Sequence, residues 1–217
     1  MNIKPPQLAP PLTEVCEFLP LLRRSTEESR DELEQLHICR ADLSDEDISA
    51  VSFYNVIFES CSFSRCSFRK GSFIDVEFRN CLMSNCEFDD GYFSRCRFSS
   101  GKWLGSSFIR TSLKQISAQD CSFQYANFDQ SLLDGALLSE CDFSDANITR
   151  CRLKLLQFQQ CIFVNTSFFQ TVLRGLDFTD SQVSRLMVSD QHTELAGACF
   201  DLFQAAELAK LLGIIIR

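Results

Sequence analysis

Twelve cysteines and two histidines are the residues of this 217-residue chain whose chemistry could hold a metal or attack an electrophile. Nine of the cysteines, Cys61, Cys66, Cys81, Cys86, Cys96, Cys121, Cys141, Cys151 and Cys161, stand apart by multiples of five residues. A zinc cage needs ligands that converge, often with histidine, and the only histidines are His37 and His192. Free cysteine behaves as a small hydrophobe, so these thiols read as packing residues. Cys121, Cys141 and Cys161 are expected to stack close enough for adventitious oxidation, although parallel side-chain vectors disfavour a disulfide. No His-Glu-x-x-His signature, glycine-rich phosphate loop or nucleophile with a positioned base occurs. The expectation is a protein without catalytic, cofactor-binding or metal residues.

What positions the cysteines is a larger rhythm. From Ile38 to Val188 an apolar residue recurs at every fifth position, and seventeen of the twenty-one phenylalanines fall in that class. A helix would repeat at 3.6 and a strand at two, so the period of five belongs to neither. It marks a stacked array in which each unit buries an apolar face that it could not bury alone. Phe63, Phe68, Phe73, Phe88, Phe123, Phe128, Phe143 and Phe163 belong to this central ladder. The residue two places earlier is small or a thiol, as in Cys61-Ser-Phe63 and Ala126-Asn-Phe128. The other three positions of each unit are mostly polar and face water. The interior is predicted to be filled, with Ile116 in a small slot compensating Ala118 in a large one.

These units resemble the pentapeptide-repeat family, whose members carry Ala or Cys, Asp or Asn, Leu or Phe, and two variable residues. The resemblance implies an all-β fold, a right-handed quadrilateral β-helix, here followed by a C-terminal α-helix. Four sides predict that residues twenty apart stack, and Phe53, Phe73 and Phe93 do give way to Leu113, Leu133, Leu153 and Leu173 along one such column. Roughly eight coils at about 4.8 Å would make a rod on the order of 37 Å long. The predicted division is an irregular cap over residues 1–37, the β-helix over 38–193 and a helical tail over 194–217. Within the cap, four prolines open the chain, and Ser25-Thr26-Glu27-Glu28 is expected to begin a short helix toward Leu36. No apolar run is long enough to span a bilayer, and the first residues lack a secretory h-region, so no membrane partner and a cytoplasmic location are expected.

After Val188 the rhythm fades, and Asp201 to Gly213 reads as a helix with Asp201 as N-cap and Gly213 as stop. On a helical wheel Leu202, Ala205, Ala206, Leu208, Ala209 and Leu212 form one wide apolar face, with Phe203 and Leu211 beside it. One part of that surface can cover the last coil. The rest, with Ile214, Ile215 and Ile216, needs another chain, and a two-fold homodimer through Leu202, Phe203, Ala206, Leu208, Leu211, Leu212 and the three isoleucines is the simplest closed solution. A monomer whose tail folds back over its own core is the alternative. Phe203-Gln-Ala-Ala-Glu-Leu-Ala-Lys-Leu-Leu-Gly-Ile-Ile resembles the C-terminal end of the Qnr-type quinolone-resistance branch. That resemblance implies a dimeric rod that imitates duplex DNA and engages DNA gyrase or topoisomerase IV. The unbroken phase leaves no room for the projecting loops of several such proteins.

The formal charge of -8 suits a basic partner. Between residues 38 and 193, however, nineteen acidic residues face fifteen basic ones. Asp120, Glu140 and Asp180 fall at multiples of twenty, a candidate partner-binding acidic ladder, while Lys114, Lys154 and Arg174 form a basic column broken by Asp134. Basic patches dense enough for direct nucleic-acid binding are lacking. Two functions remain: a DNA-like rod that binds and modulates or protects a type II topoisomerase, or a scaffold with an unrelated partner.

Overall fold

The computed structural model describes residues 3–27 and 31–216. Its body is a parallel β-solenoid of about eight turns that ends in one short helix. Eight strands pair in parallel into one sheet, beginning with β1 (Thr13–Val15) and β2 (Glu32–Cys39), then Ser52–Glu59, Ser72–Arg79, Tyr92–Ser99, Ser112–Gln119, Leu132–Ser139 and Arg152–Gln159. From β2 onward the register is twenty residues, with Leu33 opposite Phe53, Phe53 opposite Phe73 and Leu113 opposite Leu133. Short strands at Asp42–Ser44, Ser62–Ser64 and Leu82–Ser84, with isolated bridges such as Ser67 to Glu87, build the remaining sides.

The corners explain the period. Every fifth residue from Gln35 to Gly175 adopts a left-handed conformation, with φ between 50° and 78°. Bulky L-residues rarely adopt this region. Here each corner amide donates to the next coil, as Ser60 N does to Arg79 O at 2.8 Å and Lys70 N to Asp89 O at 2.8 Å. The chain therefore turns once per unit, and every turn brings the central side chain back toward one axis.

That axis is lined with rings. Phe63, Phe68, Phe73, Phe88, Phe123, Phe128, Phe143 and Phe163 are all buried. Rings twenty apart stack nearly flat, Phe58 on Phe78 at 5.1 Å and 4° and Phe108 on Phe128 at 4.8 Å and 5°. Rings five apart meet edge to face, as Phe63 and Phe68 do at 81°. Both arrangements suit the ring quadrupole, whose faces are negative and edges positive.

The interior is not filled everywhere. An apolar cavity of about 40 Å³ lies where phenylalanine gives way to smaller residues, lined by Leu113, Ala118, Leu133, Ala136, Leu153 and Leu156 among others. Ile116 also borders it, so its bulk compensates Ala118 only in part. An isoleucine on one side cannot reach the volume that a ring would occupy on the other.

The solenoid starts earlier than residue 38. Leu33 is already in phase, is buried, and sits on β2, so the segment before Leu36 that was expected to be helical is instead the first long strand. The helix of this region is α1 (Phe18–Glu27), upstream of the expected start, and Glu28 lies outside the described residues. Pro20 falls in the first turn of α1, where its missing N–H costs no intrahelical bond. Phe18 and Leu22 face the core, and the Phe18 ring meets Phe58 at 6.1 Å and Phe63 at 6.2 Å. Ahead of β1, the chain runs along the outer wall, where Asn55 Oδ1 accepts from Ala9 N, Asp75 Oδ1 from Gln7 N and Gln115 Oε1 from Lys4 N. These acceptors are left-handed corner residues of one column.

At the other end, α2 (Leu202–Ala209) is followed by a 3-10 turn, Lys210–Leu212, and by Gly213 at φ 72°. Asp201 and Gln204 form a reciprocal capping box. The side chain that docks α2 is Gln204, whose Nε2 donates to Phe178 O at 2.8 Å and Ser181 O at 2.6 Å, with Leu208 packed on the core nearby. The wide face carrying Leu202, Ala205 and Leu212 points outward, and the part of the helix that covers the last coil is the side of Gln204 and Leu208. Open carbonyls at the end of a coil call for a donor, which an amide supplies and a leucine does not.

Candidate functional site

Three outer surfaces gather side chains that could recognise something. The first is the acidic column. Asp120, Glu140 and Asp180 are all exposed, and backbone hydrogen bonds place Asp120, Glu140 and Gln160 at equivalent corners of successive coils. Among the described residues no lysine or arginine lies within ion-pair distance of these three carboxylates. Many other acids are neutralised between coils. Arg65 bridges both oxygens of Asp45, Arg95 those of Asp75, and Arg110 those of Asp90. The guanidinium beside Asp45 and that beside Asp90 hold those carboxyls below the usual range. The basic column is accessible at Lys114, whose Nζ sits 5.5 Å from the centre of the Tyr92 ring.

The second surface is the tail. Leu202 and Phe203 are each 81 % exposed, Leu212 64 % and Ile215 82 %, and Leu211, Ile214 and Ile216 are exposed beside them. Ala206 is half-buried, and Leu208 turns partly toward the protein's own core. So many large apolar side chains exposed together mark a surface that meets another apolar surface.

The third surface lies at the opposite end and was not visible as a motif. Val15 pairs with Ile38 and Cys39 with Glu59, while Glu14 pairs with His37. Residues flanking inward Ile38 point outward, so three parallel strands bring Glu14, Cys16, His37, Cys39 and Glu59 around one depression, with Arg40 and Ser60 on its rim. Ligand atoms of His37, Cys39 and Glu59 lie within 4.8 Å of one another, and His37 Nε2 is 2.6 Å from Glu59 Oε2. Burial first, then the Glu14 and Glu59 carboxylates, push the Cys39 thiol up. Cys39 and Glu59 follow the register of twenty, whereas the offset of 23 between β1 and β2 hides the approach of Glu14 and Cys16 from any reading by fives or twenties.

The nine cysteines of the small slot are free and buried. They also have a polar task. Cys61 donates to Ile38 O, Cys81 to Phe58 O, Cys96 to Phe73 O and Cys161 to Leu138 O, each 23 residues earlier. Ser106, Thr111, Ser131, Thr166 and Thr171 take the same slot and donate to the equivalent carbonyls. At these positions the slot holds a small side chain that carries a donor. Burial pushes Cys96 and Cys151 up to about 12, so these thiols stay protonated at neutral pH.

A parallel solenoid with a left-handed corner every five residues and a buried, largely aromatic axis defines the class: a right-angled stacking protein that offers walls and ends. The sequence matches the family description "Pentapeptide repeat region" over residues 71–141 and "Pentapeptide repeats (8 copies)" over residues 47–85. Residues 47–141 thus carry the repeats of the pentapeptide-repeat family. Among solved structures it is similar to trypsin-treated QnrB1, a plasmid-mediated fluoroquinolone resistance protein, at 20 % identity over 83 % of this chain and 99 % of that one, with a TM-score of 0.52. It is also similar to HetL of the cyanobacterium Nostoc, a pentapeptide repeat protein involved in heterocyst differentiation regulation, at 11 % identity over 87 % and 95 % of the two chains and a TM-score of 0.62. No curated protein matches the sequence significantly. At these identities the two structures share a fold with this chain. Among the described residues no helix is long and apolar enough to cross a membrane.

Proposed function

We propose that the protein acts without catalysis, as a homodimeric rod that presents carboxylates to the basic DNA channel of a type II topoisomerase, DNA gyrase or topoisomerase IV, and modulates or protects that enzyme. The observation that carries this reading is the column of Asp120, Glu140 and Asp180, exposed and free of ion-pairing cations among the described residues, on a chain of net charge -8. Such a column attracts a basic groove at long range and aligns the rod along it. The QnrB1 likeness, limited to fold, agrees with this partner without identifying it. The exposed tail supplies the dimer: Leu202, Phe203, Leu212 and Ile214 to Ile216 cover their counterparts in a second copy and double the rod's length.

A scaffold function with another partner is favoured by a different observation, the Asp45–Arg65, Asp75–Arg95 and Asp90–Arg110 pairs, which neutralise much of the walls outside that column. Purified gyrase and topoisomerase IV separate the two. The topoisomerase reading expects salt-sensitive binding and altered supercoiling or decatenation, both weakened when Asp120, Glu140 and Asp180 are changed together to Asn, Gln and Asn. No binding and no effect at moderate salt would sink it.

A further inference from the structure

We propose that the depression between β1, β2 and the strand Ser52–Glu59 is a zinc site, with His37, Cys39 and Glu59 as its core ligands and Cys16 as the fourth. The chemistry of the donors argues for it: one imidazole, two thiols and a carboxylate make a borderline-soft set that suits tetrahedral zinc better than calcium or magnesium, which want oxygens alone. Geometry argues for it as well. Ligands of one tetrahedral zinc stand roughly 3 to 4 Å apart, given bonds of about 2.0 to 2.3 Å. The three core ligand atoms already lie within 4.8 Å of one another, and the His37 to Glu59 contact at 2.6 Å shows that those two side chains converge on one point. Small side-chain rotations bring these three into coordination, and Cys16, outside that group but lining the same depression, has to turn inward to complete it.

The placement is also independent of the repeat. Nine cysteines are buried in the small slot, whereas Cys39 is half-buried and Cys16 is exposed, both on the outer face. Cys16 follows Val15, which pairs with Ile38, so Cys16 and Cys39 are brought side by side by the ladder. Glu14, 3.9 Å from Cys16 Sγ through Oε1, adds negative charge at the rim, where Arg40 also lies. β1 has only three residues and is tied to the solenoid by one strand. A metal bridging Cys16 to Cys39 and Glu59 would fasten it, and with it the cap helix α1, to the first coils. Zinc would then act as a structural clasp at the open end of the solenoid, where uncovered strand edges invite association.

The test uses full-length reduced protein stripped of metal by chelator and titrated with Co2+, a spectroscopic stand-in for Zn2+. The expected result is one cobalt per chain, ligand-field bands of tetrahedral intensity and a thiolate-to-cobalt charge-transfer band, all displaced by Zn2+. Cys39→Ser should abolish the charge-transfer band or leave only a weak remnant from Cys16, and His37→Gln should lower the cobalt stoichiometry. Cys199→Ser, which changes an exposed thiol at the far end, should leave the spectrum intact. Zn2+ should also slow amide exchange at Thr13–Val15. The proposal is overturned if the wild-type protein retains no cobalt, if the spectrum is octahedral without charge transfer, or if Cys39→Ser, folded by circular dichroism, gives an unchanged spectrum. Should Cys39→Ser not fold, Glu59→Gln and His37→Gln decide in its place, and undiminished cobalt binding in both would overturn the site.

Discussion

Arg150 grips Asp129 one coil below it, with Nε 2.8 Å from Oδ1 and Nη2 2.5 Å from Oδ2. Thr149 Oγ1 and Gln130 Nε2 also donate to that carboxylate. Led by the Arg150 contact, and against the effect of burial, these donors hold Asp129 down at about 2. A carboxyl depressed in the folded state stabilises the fold above its unfolded pKa of about 3.9, and the contribution fades as pH falls toward 2. Its size is roughly 1 to 2 kcal/mol once the half-exposure of Arg150 is allowed for. Asp129→Asn should therefore lower stability in denaturant at pH 7 and make little difference at pH 2. Equal losses at both pH values would show that packing, not charge, is at work.

The aromatic axis sets the energetic scale. Phe128 is buried and stacks on Phe108. Phe128→Ala is expected to cost about 3 to 5 kcal/mol, since a rigid stack cannot collapse into the space vacated. The nearby cavity makes the opposite prediction. Ala136 occupies a column whose other members include Val56, Val76, Ile116 and Leu156, and it lines empty apolar space. Ala136→Val should raise stability by about 1 kcal/mol, at the scale of one or two buried methyl groups, with an unchanged denaturant slope. A loss would mean that the wall there is too tight for the added branch.

Gln204 joins the tail to the solenoid through two donated hydrogen bonds and its half of the capping box. Gln204→Leu removes those donors and leaves Phe178 O and Ser181 O unsatisfied, at an expected cost of about 1 to 3 kcal/mol. The change should appear as faster proteolysis of α2 while the solenoid stays protected. Leu212→Glu, by contrast, alters an exposed position and should leave folding intact. If the tail makes the dimer, sedimentation of this variant should give the mass of one chain, and an unchanged dimer would move the interface elsewhere.

How much of this was legible in the sequence follows from what the period can carry. Inward rings, stacked columns and buried thiols were readable because a corner every five residues gives each position one environment. Outside that rhythm the reading found the C-terminal helix with Asp201 as its cap and Gly213 as its stop, but missed other features. Ser25 to Leu36 carries charge enough for a helix, yet Leu33 in phase makes its second half a strand, because pairing with Ser52–Glu59 overrides local propensity. Gln204 has no apolar surface to mark it as inward, and docking of α2 buries it through hydrogen bonds that the sequence does not display. Cys39 and Glu59 are twenty apart and pair in the ordinary register, but Cys16 joins them and His37 only through a strand register with an offset of 23, which no spacing in the chain announces.

Trp103 tests the packing logic in one place. It is the largest residue of the ladder, fully buried, and its Nε1 is the one buried side-chain nitrogen or oxygen among the described residues without a hydrogen-bond partner. Gly101 stands in the slot that Cys61, Cys81, Cys121 and Cys141 fill in the same column. A Cβ there would come within 2.9 Å of Trp103 Nε1, so the missing side chain makes room for the indole. Gly101→Cys alone should therefore destabilise by about 1 to 3 kcal/mol through overpacking. Trp103→Phe alone relieves the orphaned N–H but opens a void. Together they restore the Cys-x-Phe unit of neighbouring coils, and the double variant should be more stable than the two single losses sum to, by about 1 kcal/mol or more. Additive losses would mean that the glycine is there for the backbone and not for the ring.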